Sequence, residues 1–345
     1  MNLDRFSAIV GRYPSLRICV AGDFFLDRYL HIDPSKEETS IETGLPVHNV
    51  AEVLALPGAA GTIVNNLAAL GVGEIIPVGF CGDDGEGYEL RRALAACKGV
   101  NLEHFLTSPS RRTPVYCKPM ILEKDRPPRE LSRFDSKNWT PTPVELQGDL
   151  ARRVVDSAQR VDAILLMDQV EVPESGVVTN LVRKATYSAL REREGLTVLA
   201  DSRRGLKDFP PFAFKMNAAE LARLTGSTSI DLGAVNVAAG EMADRNGRPV
   251  FVTLAERGIV AALPGRPAEH LPAHPVRGPI DIVGAGDSVT ANLAVALAAG
   301  AELRDAMQLA MAASSIVIHQ LGTTGTASVD SIAELLGFAR QAICS

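Results

Sequence analysis

The chain has 345 residues, enough for one large α/β domain with an appendage, and its shares of hydrophobic (46%) and charged (22%) residues are typical of a protein with a sizeable core. A formal net charge of −6 argues against nucleic acid as the main partner, because phosphate backbones are bound by clustered basic surface. No stretch reaches the roughly 18 consecutive apolar residues of a membrane span, so we expect no membrane partner.

The cysteines are scattered and include no CxxC pair: they are Cys19, Cys81, Cys97, Cys117 and Cys344. This pattern is typical of reduced thiols rather than of a disulfide framework or a zinc site. The N-terminal segment 1–16 has no long apolar run, so it does not resemble a secretory signal. We therefore expect a cytoplasmic protein.

Short apolar runs alternate with segments of helical spacing along the chain. The predicted strands are 16–21, 74–79, 161–167, 196–200 and 249–254. The predicted helices are 61–70, 88–97, 175–193, 218–224 and 288–299. The alternation predicts an α/β fold with a doubly wound, mostly parallel sheet and helices on both faces.

Two segments, 31–56 and 111–136, interrupt this alternation. They are rich in Thr, Pro and charge, with apolar residues at alternate positions. This pattern predicts partly exposed antiparallel strands that form a small β lid or a dimer clasp; the alternative is two irregular surface excursions. With no internal repeat and no low-complexity linker, we expect residues 1–345 to form a single domain with this lid.

The strongest local signal is segment 281–287 (DIVGAGD), which comes directly before the last predicted helix. Glycines at a helix N-terminus allow an anion to approach free backbone N–H groups, where the helix dipole also favours it. Asp287 would then lie beside a bound phosphoryl group and accept a proton from an attacking hydroxyl. The alternative is a glycine-rich turn in which Asp287 only caps the helix. The chain contains no GxxxxGK[ST] motif, which excludes a P-loop.

Segment 281–293 (DIVGAGDSVTANL) resembles the C-terminal signature of the ribokinase-type (PfkB) carbohydrate kinases. The resemblance implies that Asp287 is the catalytic base and that Gly284, Ala285 and Gly286 form an anion hole. The chain departs from the family at Ile282, where Thr is usual, and at Asn292, where Gly is usual.

Two segments resemble the substrate side of these kinases. Segment 57–62 (PGAAGT) is similar to the family's Gly-Gly-Ala-x-Asn loop, with Ala59 for the second Gly and Thr62 for the Asn. Segment 22–29 (GDFFLDRY) follows the first predicted strand, at the edge where open α/β sheets bind ligands, and it resembles the heptose-7-phosphate kinase branch most. The predicted substrate-binding residues are Asp23, Asp27, Arg28, Gly58, Ala59 and Thr62. The alternatives are an ordinary strand-to-helix loop and a surface ion pair between Asp27 and Arg28.

Three further segments resemble the nucleotide side. Segment 217–220 (NAAE) matches the family's Asn-x-x-Glu motif, which organises magnesium and phosphates, although its spacing is also that of a capping box. Segments 253–258 and 320–326 resemble the nucleotide-side loop and the LGT segment of the heptose kinases. The implied nucleotide-binding residues are Asn217, Glu220, Thr253, Glu256, Gly258 and Ser314. The implied metal-site residues are Glu220 for Mg²⁺ and Asp281 for a monovalent cation such as K⁺.

The motifs occur in the family's order over about residues 16–340. They imply a homodimeric enzyme that uses ATP and Mg²⁺ to phosphorylate a hydroxyl of a sugar or sugar phosphate, with a heptose-7-phosphate-type 1-kinase as the best match. We expect the chain to lack the C-terminal nucleotidyltransferase domain to which such kinases are often fused. The alternatives are a nucleoside or other small-sugar kinase, and a nucleotide- or sugar-binding descendant with weak turnover.

Overall fold

The structure is a computed structural model that describes residues 1–338 apart from 124, 125 and 127; the predicted thiol of Cys344 lies outside the described residues. In chain order the strands are β1 (Arg17–Gly22), β2 (Phe24–Ile32), β3 (Glu38–Thr39), β4 (Pro46–Val47), β5 (Val50–Ala59), β6 (Glu74–Gly82), β7 (Phe105–Ser108), β8 (Val115–Ile121), β9 (Arg129–Glu130), β10 (Phe134–Ser136), β11 (Ala163–Asp168), β12 (Thr197–Ser202), β13 (Ala213–Asn217), β14 (Val250–Thr253), β15 (Ile259–Ala262) and β16 (Glu269–Leu271).

The helices alternate with the strands of the main sheet. In chain order they are α1 (Leu3–Val10), α2 (Ala60–Ala69), α3 (Gly85–Ala95), α4 (Val144–Ala158), α5 (Asn180–Glu192), α6 (Ala218–Thr225), α7 (Leu232–Asn246), α8 (Ala285–Ala298), α9 (Leu303–Val317) and α10 (Val329–Leu335). None of these helices, within the described part of the chain, is long and apolar enough to cross a membrane.

The main sheet has the strand order β16-β15-β14-β13-β12-β11-β1-β6-β7. All neighbours from β14 to β7 are parallel, and β15 and β16 are antiparallel additions at one edge. The chain runs outward from β1 through β6 to β7 and then returns to β11, from which it runs outward in the other direction. The switch point between β1 and β11 is where open α/β sheets bind ligands, beyond the carboxyl ends of the strands.

Helices cover both faces of this sheet. On β1, Ile18 and Val20 pack into the core with α1, α2, α3, α8, α9 and α10, whereas Cys19 and Ala21 pack into the core with α4, α5, α6 and α7. The division follows from the strand itself, because successive side chains point to opposite faces. The predicted doubly wound, mostly parallel sheet is therefore confirmed.

A second sheet lies where the lid is predicted, with the order β10-β8-β2-β5 and β9 beside β8. The structure corrects the prediction in two respects. The lid begins at Phe24, so most of segment 22–29 lies on a lid strand rather than in a loop. In addition, β2 pairs with β5 in antiparallel fashion but with β8 in parallel fashion, so the lid is a mixed sheet.

Two predicted helices have different starts in the structure. The helix predicted at 175 begins at Asn180, because Thr179 is its N-cap and residues 175–179 form a loop at the switch point. The helix predicted at 288 begins at Ala285, because Gly284, with φ of +80°, is its N-cap. The second difference places Asp287 inside the first turn of α8.

Candidate active site

The turn that leads into α8 offers backbone donors to an anion. Ser288 N–H makes the first bond of this helix, to Gly284 O at 2.9 Å, and Ala285 N–H donates to Ile282 O at 3.2 Å. The amides of Gly286 and Asp287 are therefore the first-turn donors without a helical partner, at the positive end of the helix dipole. Among the predicted anion-hole residues, Gly286 offers its amide, whereas the amide of Ala285 is already hydrogen-bonded within the turn. The amide of Asp287, which was not predicted as part of the anion hole, is the second donor.

Asp287 is the third residue of α8 and is half-buried. It does not cap the helix, because Gly284 occupies the N-cap position, so the capping alternative is wrong. Burial raises the pKa of Asp287 to about 7; the charge of Lys215 opposes this rise and the charge of Asp201 adds to it. A carboxylate with a pKa near neutrality is well suited to accept a proton at physiological pH.

A buried ion pair lies against this turn. Lys215, which is 6% exposed, donates from Nζ to Asp201 Oδ2 at 2.7 Å, and Thr290 Oγ1 donates to the same oxygen at 3.0 Å. A Cβ atom on Gly286 would lie 3.2 Å from Lys215 Nζ, so the ammonium group faces the anion-binding turn.

Lys215, Asp201 and Thr290 are not among the site residues predicted from sequence. Two of them carry a sequence signal: Asp201 directly follows the predicted strand 196–200, and Lys215 stands two residues before the Asn-x-x-Glu motif. Polar residues at the carboxyl ends of parallel strands are candidates for a ligand site.

The lid contributes a second carboxylate. Asp27 is 5% exposed, with Oδ1 at 3.4 Å from Lys118 Nζ, and that oxygen has no hydrogen bond within the described residues. The negative charge of Asp27 contributes to the raised pKa of Asp287, so the two carboxylates lie within electrostatic range. A Cβ on Gly58 would lie 2.6 Å from Asp27 Oδ2, so glycine is needed for this approach.

The predicted substrate loop reaches the same place. Thr62 is 1% exposed in the first turn of α2, and its Cγ2 lies 3.5 Å from the position of a Cβ on Gly284. Ala59, the N-cap of α2, has φ of +54° and ψ of −118°, a conformation that favours glycine. Thr62 therefore borders the anion-binding turn, and Ala59 shapes the start of the helix that carries Thr62.

Two predicted substrate ligands have partners within the protein. Asp23 accepts hydrogen bonds from the amides of Gln169 (2.8 Å), Val170 (3.3 Å) and Val177 (2.7 Å), so it anchors the segment after β11, and its contact with a sugar stays a prediction. Arg28 lies on the face of β2 opposite Asp27 and pairs at 3.6 Å with Glu86 and Glu89. The alternative of an Asp27–Arg28 ion pair is wrong for the same reason.

The Asn-x-x-Glu motif forms a capping box at the start of α6. Asn217 Oδ1 accepts the Glu220 amide at 2.9 Å, and Glu220 Oε2 accepts the Asn217 amide at 2.8 Å. Burial raises the pKa of Glu220, and the charge of Asp201 raises it further. A carboxylate in this setting is stabilised by a nearby cation, so its chemistry suits a hydrated Mg²⁺.

Asp281 binds backbone groups on both sides of the turn. Its Oδ1 accepts the Val283 amide at 3.0 Å and its Oδ2 accepts the Gly322 amide at 3.2 Å. The carboxylate of Asp281 therefore anchors the turn, and its contact with a monovalent cation stays a prediction. Within the described residues, no three His, Cys, Asp or Glu side chains are grouped to hold a metal ion.

The remaining predicted nucleotide residues lie on other elements. Gly258 has φ of +95° in the turn between β14 and β15, where a Cβ would clash with Leu271 O, so its glycine is explained by the fold. Thr253 Oγ1 donates to Met216 O at 3.4 Å, Glu256 is exposed, and Ser314 lies half-buried on α9. Contact of these residues with a nucleotide stays a prediction.

A pocket lies between the lid and the switch point. The lid side is aromatic, with Phe25 and Tyr116 in an edge-to-face pair whose ring centroids are 4.9 Å apart. Trp139 and the segment after β11 line the other side, where Lys137 Nζ lies 3.0 Å from Glu171 Oε1. Aromatic faces with a few polar groups are a common lining for small-molecule sites.

Comparison with known proteins gives relatives over most of the chain. It is 34% identical over 316 residues to the Bifunctional protein HldE of Azotobacter vinelandii, covering 90% of this chain and 62% of that protein. It is 30% identical over 348 residues to the Bifunctional protein HldE of Bradyrhizobium sp., covering 99% of this chain and 67% of that protein. The chain thus spans about two thirds of the length of these relatives.

Solved structures share the fold. Ribokinase of Arabidopsis thaliana, complexed with ribose and ATP, superimposes with a TM-score of 0.68 at 23% identity, over 94% of this chain and 99% of that one. Phosphofructokinase-2 of Escherichia coli, in complex with substrates and products, superimposes with a TM-score of 0.71 at 17% identity, over 93% of this chain and 98% of that one. The family model described as pfkB family carbohydrate kinase matches residues 29–330. The chain therefore belongs to the pfkB family of carbohydrate kinases.

Proposed function

We propose that this carbohydrate kinase transfers the γ-phosphoryl group of ATP to a hydroxyl of a sugar or sugar phosphate, with Asp287 as the general base. The observation that carries the proposal is the position of Asp287. Its carboxyl group, with a pKa of about 7, lies in the same helical turn as the two free amides of Gly286 and Asp287. A proton acceptor and an anion site are thus held together, as phosphoryl transfer to a hydroxyl requires.

Each residue then has a defined task. Asp27 accepts a hydrogen bond from a sugar hydroxyl through Oδ1, which has no hydrogen bond among the described residues, and orients the acceptor. Asp287 takes the proton of the attacking hydroxyl. The amides of Gly286 and Asp287 stabilise the charge that develops on the transferred group. The lid sheet covers this space and reduces access of water, which would otherwise compete as acceptor.

Mg²⁺ would neutralise phosphate charge and would be bound mostly by the nucleotide and water, as is usual for this ion. Glu220, in the first turn of α6, would accept hydrogen bonds from the water molecules around Mg²⁺, while Asn217 keeps Glu220 in place through the capping box. No step of the proposed reaction involves a monovalent cation.

For the acceptor we propose a heptose-7-phosphate-type substrate phosphorylated at its 1-hydroxyl. Segments 22–29 and 320–326 support this choice through their resemblance to that branch. Ala59 and Thr62 depart from the family pattern, and Thr62 borders the anion-binding turn. These departures favour a second candidate, a nucleoside or another small sugar.

A panel of acceptors tests the proposal. The purified chain, with MgATP, is offered heptose phosphates, hexose phosphates, free sugars and nucleosides, and ADP formation is measured for each. Turnover with heptose phosphates alone supports the first candidate, and turnover with nucleosides or free sugars alone supports the second. If no acceptor is turned over although ATP binds, the chain is a binding descendant and the proposal is wrong.

We also propose a cytoplasmic homodimer that associates through the lid. The lid exposes large hydrophobic side chains, namely Ile41, Leu45, Val47, Val50, Val53 and Phe134. The cysteines of the described residues are free thiols, as expected in a reducing compartment. Light scattering on the wild type and on Phe134→Asp tests the dimer; an unchanged monomeric mass for both contradicts it.

A further inference from the structure

Lys215 is a buried cation to which neither the sequence motifs nor the family resemblance assigns a task. Its ammonium group is 2.7 Å from Asp201 Oδ2, and the charges of Asp287 and Glu220 also act on it. Burial lowers the pKa of Lys215, but Asp201 and the other two carboxylates more than offset this effect, so the pKa is raised. The ammonium group therefore stays charged throughout the physiological range.

The surroundings fix where this charge lies. Asp201 is the next-to-last residue of β12 and Lys215 is on the neighbouring strand β13, at the carboxyl edge of the sheet where the ligand crevice is. Thr290 Oγ1 holds the same Asp201 oxygen at 3.0 Å from α8, one turn beyond the anion-binding turn. The ion pair is thus tied to the helix that carries Asp287.

The free donors of Lys215 point to a ligand. An ammonium group has three N–H donors, and Asp201 takes one of them among the described residues. A Cβ on Gly286 would lie 3.2 Å from Nζ, so the remaining donors lie beside the two free amides of the turn. A buried ion pair that served only to join two strands would not need to face this turn.

We propose that Lys215 is a further catalytic residue, whose ammonium group donates a hydrogen bond to the phosphoryl group held by the amides of Gly286 and Asp287, and that Asp201 is its positioning residue. This inference rests on the function proposed above. In the transfer, the bond from the γ-phosphorus to the bridging oxygen breaks, the bond to the sugar oxygen forms, and Asp287 takes the hydroxyl proton. Lys215 keeps its proton throughout and supplies only charge and a hydrogen bond.

The direct test compares Lys215→Met with Lys215→Arg and with Lys207→Met, an exposed lysine in a loop. We expect Lys215→Met to lower kcat about 10²–10³-fold, as loss of a donor to the developing charge does, with KM for the sugar nearly unchanged. Lys215→Arg keeps the charge and recovers part of kcat, and Lys207→Met behaves as wild type. Wild-type kcat in Lys215→Met would overturn the proposal.

The pH profile separates a catalytic from a structural role. Because the Lys215 charge lowers the pKa of Asp287, its removal is expected to move the acidic limb of kcat/KM to higher pH. The double variant Lys215→Met/Asp201→Asn removes both charges of the pair and guards against misfolding caused by one unpaired carboxylate. If this double variant folds and remains inactive, the proposal stands; if it recovers wild-type kcat, the pair is structural and the proposal is wrong.

A binding measurement keeps this inference separate from the proposed function. If the wild type turns over no acceptor, calorimetry with MgATP and with AMP still tests the phosphate contact. Lys215→Met is then expected to weaken ATP binding at least about tenfold more than AMP binding, because only ATP reaches the turn with its terminal phosphate. Equal weakening of both nucleotides would contradict the contact, whatever the acceptor.

Discussion

The methyl group of Thr62 lies 3.5 Å from the position that a Cβ on Gly284 would occupy. Thr62 is in the first turn of α2 and Gly284 is the N-cap of α8, so the N-termini of these two helices meet at the candidate active site. The substrate loop and the anion-binding turn, which are more than 200 residues apart in sequence, thus form one surface.

This contact makes Gly284 sensitive to substitution. Gly284→Ala adds a methyl group at φ of +80° and places it against Thr62 and Thr324. We expect a loss of about 1–2 kcal/mol in the free energy of unfolding and at least a tenfold loss of kcat. Gly278→Ala is the matched control, because Gly278 has φ of +86° but no atom within 4 Å of its Cβ position. Equal losses of kcat in both variants would contradict the account.

Ala59 has φ of +54° and ψ of −118°, a backbone conformation that is strained for any residue with a Cβ atom. We therefore expect Ala59→Gly to raise the free energy of unfolding by about 1 kcal/mol, because the relief of strain exceeds the effect of the added entropy of the unfolded chain. Ala93→Gly, in the last turn of α3, should instead lower it by up to about 1 kcal/mol. Urea denaturation of both variants measures the difference; a loss of stability in Ala59→Gly would show that the strain is absent.

Asp23 and Asp27 are four residues apart in sequence, but we expect their substitution by asparagine to have different effects. Asp23→Asn replaces an acceptor of three backbone amides and is expected to lose on the order of 1–3 kcal/mol of stability. Asp27→Asn is expected to leave the melting temperature nearly unchanged and to raise KM for the sugar about tenfold or more. Thermal melts and initial rates on both variants test this, and the reverse assignment of the two effects contradicts it.

The raised pKa of Asp287 has a consequence for stability. Its carboxyl holds a proton in the folded state up to about pH 7, whereas the unfolded chain releases it near pH 4. The contribution of Asp287 to the free energy of unfolding therefore falls as pH rises between these values, and Asp287→Asn removes that contribution. We expect Asp287→Asn to match the wild type at pH 4 and to be more stable, on the order of 2 kcal/mol, at pH 8. A variant less stable than wild type at pH 8 contradicts the raised pKa.

The features that sequence predicted well depend on neighbours in the chain. The anion-binding turn follows from two glycines before a helix, and the doubly wound sheet follows from alternating strands and helices. The predicted start of α8, at residue 288, is three residues too late, because the left-handed conformation of Gly284 lets the helix begin at Ala285.

The features that sequence missed depend on contacts across the sheet. Lys215 pairs with Asp201 because β12 and β13 are adjacent in the sheet, and the residues of these two segments do not predict that they are neighbours. The amide donors of Asp23 come from 146 or more residues later in the chain, so no signal near residue 23 indicates its anchoring role. The pairing of Arg28 with α3 depends on the lid strand β2, which begins at Phe24, whereas the sequence predicts a lid that begins at residue 31.

The most direct test of the central claim is the pH dependence of kcat/KM for MgATP-dependent sugar phosphorylation, measured for the wild type and for Asp287→Asn. For the wild type, we expect a rise with unit slope that levels off near pH 7, where the Asp287 carboxyl loses its proton. For Asp287→Asn we expect a rate lower by about 10³-fold or more, without that acidic limb. A wild-type profile retained in Asp287→Asn would show that another group accepts the hydroxyl proton.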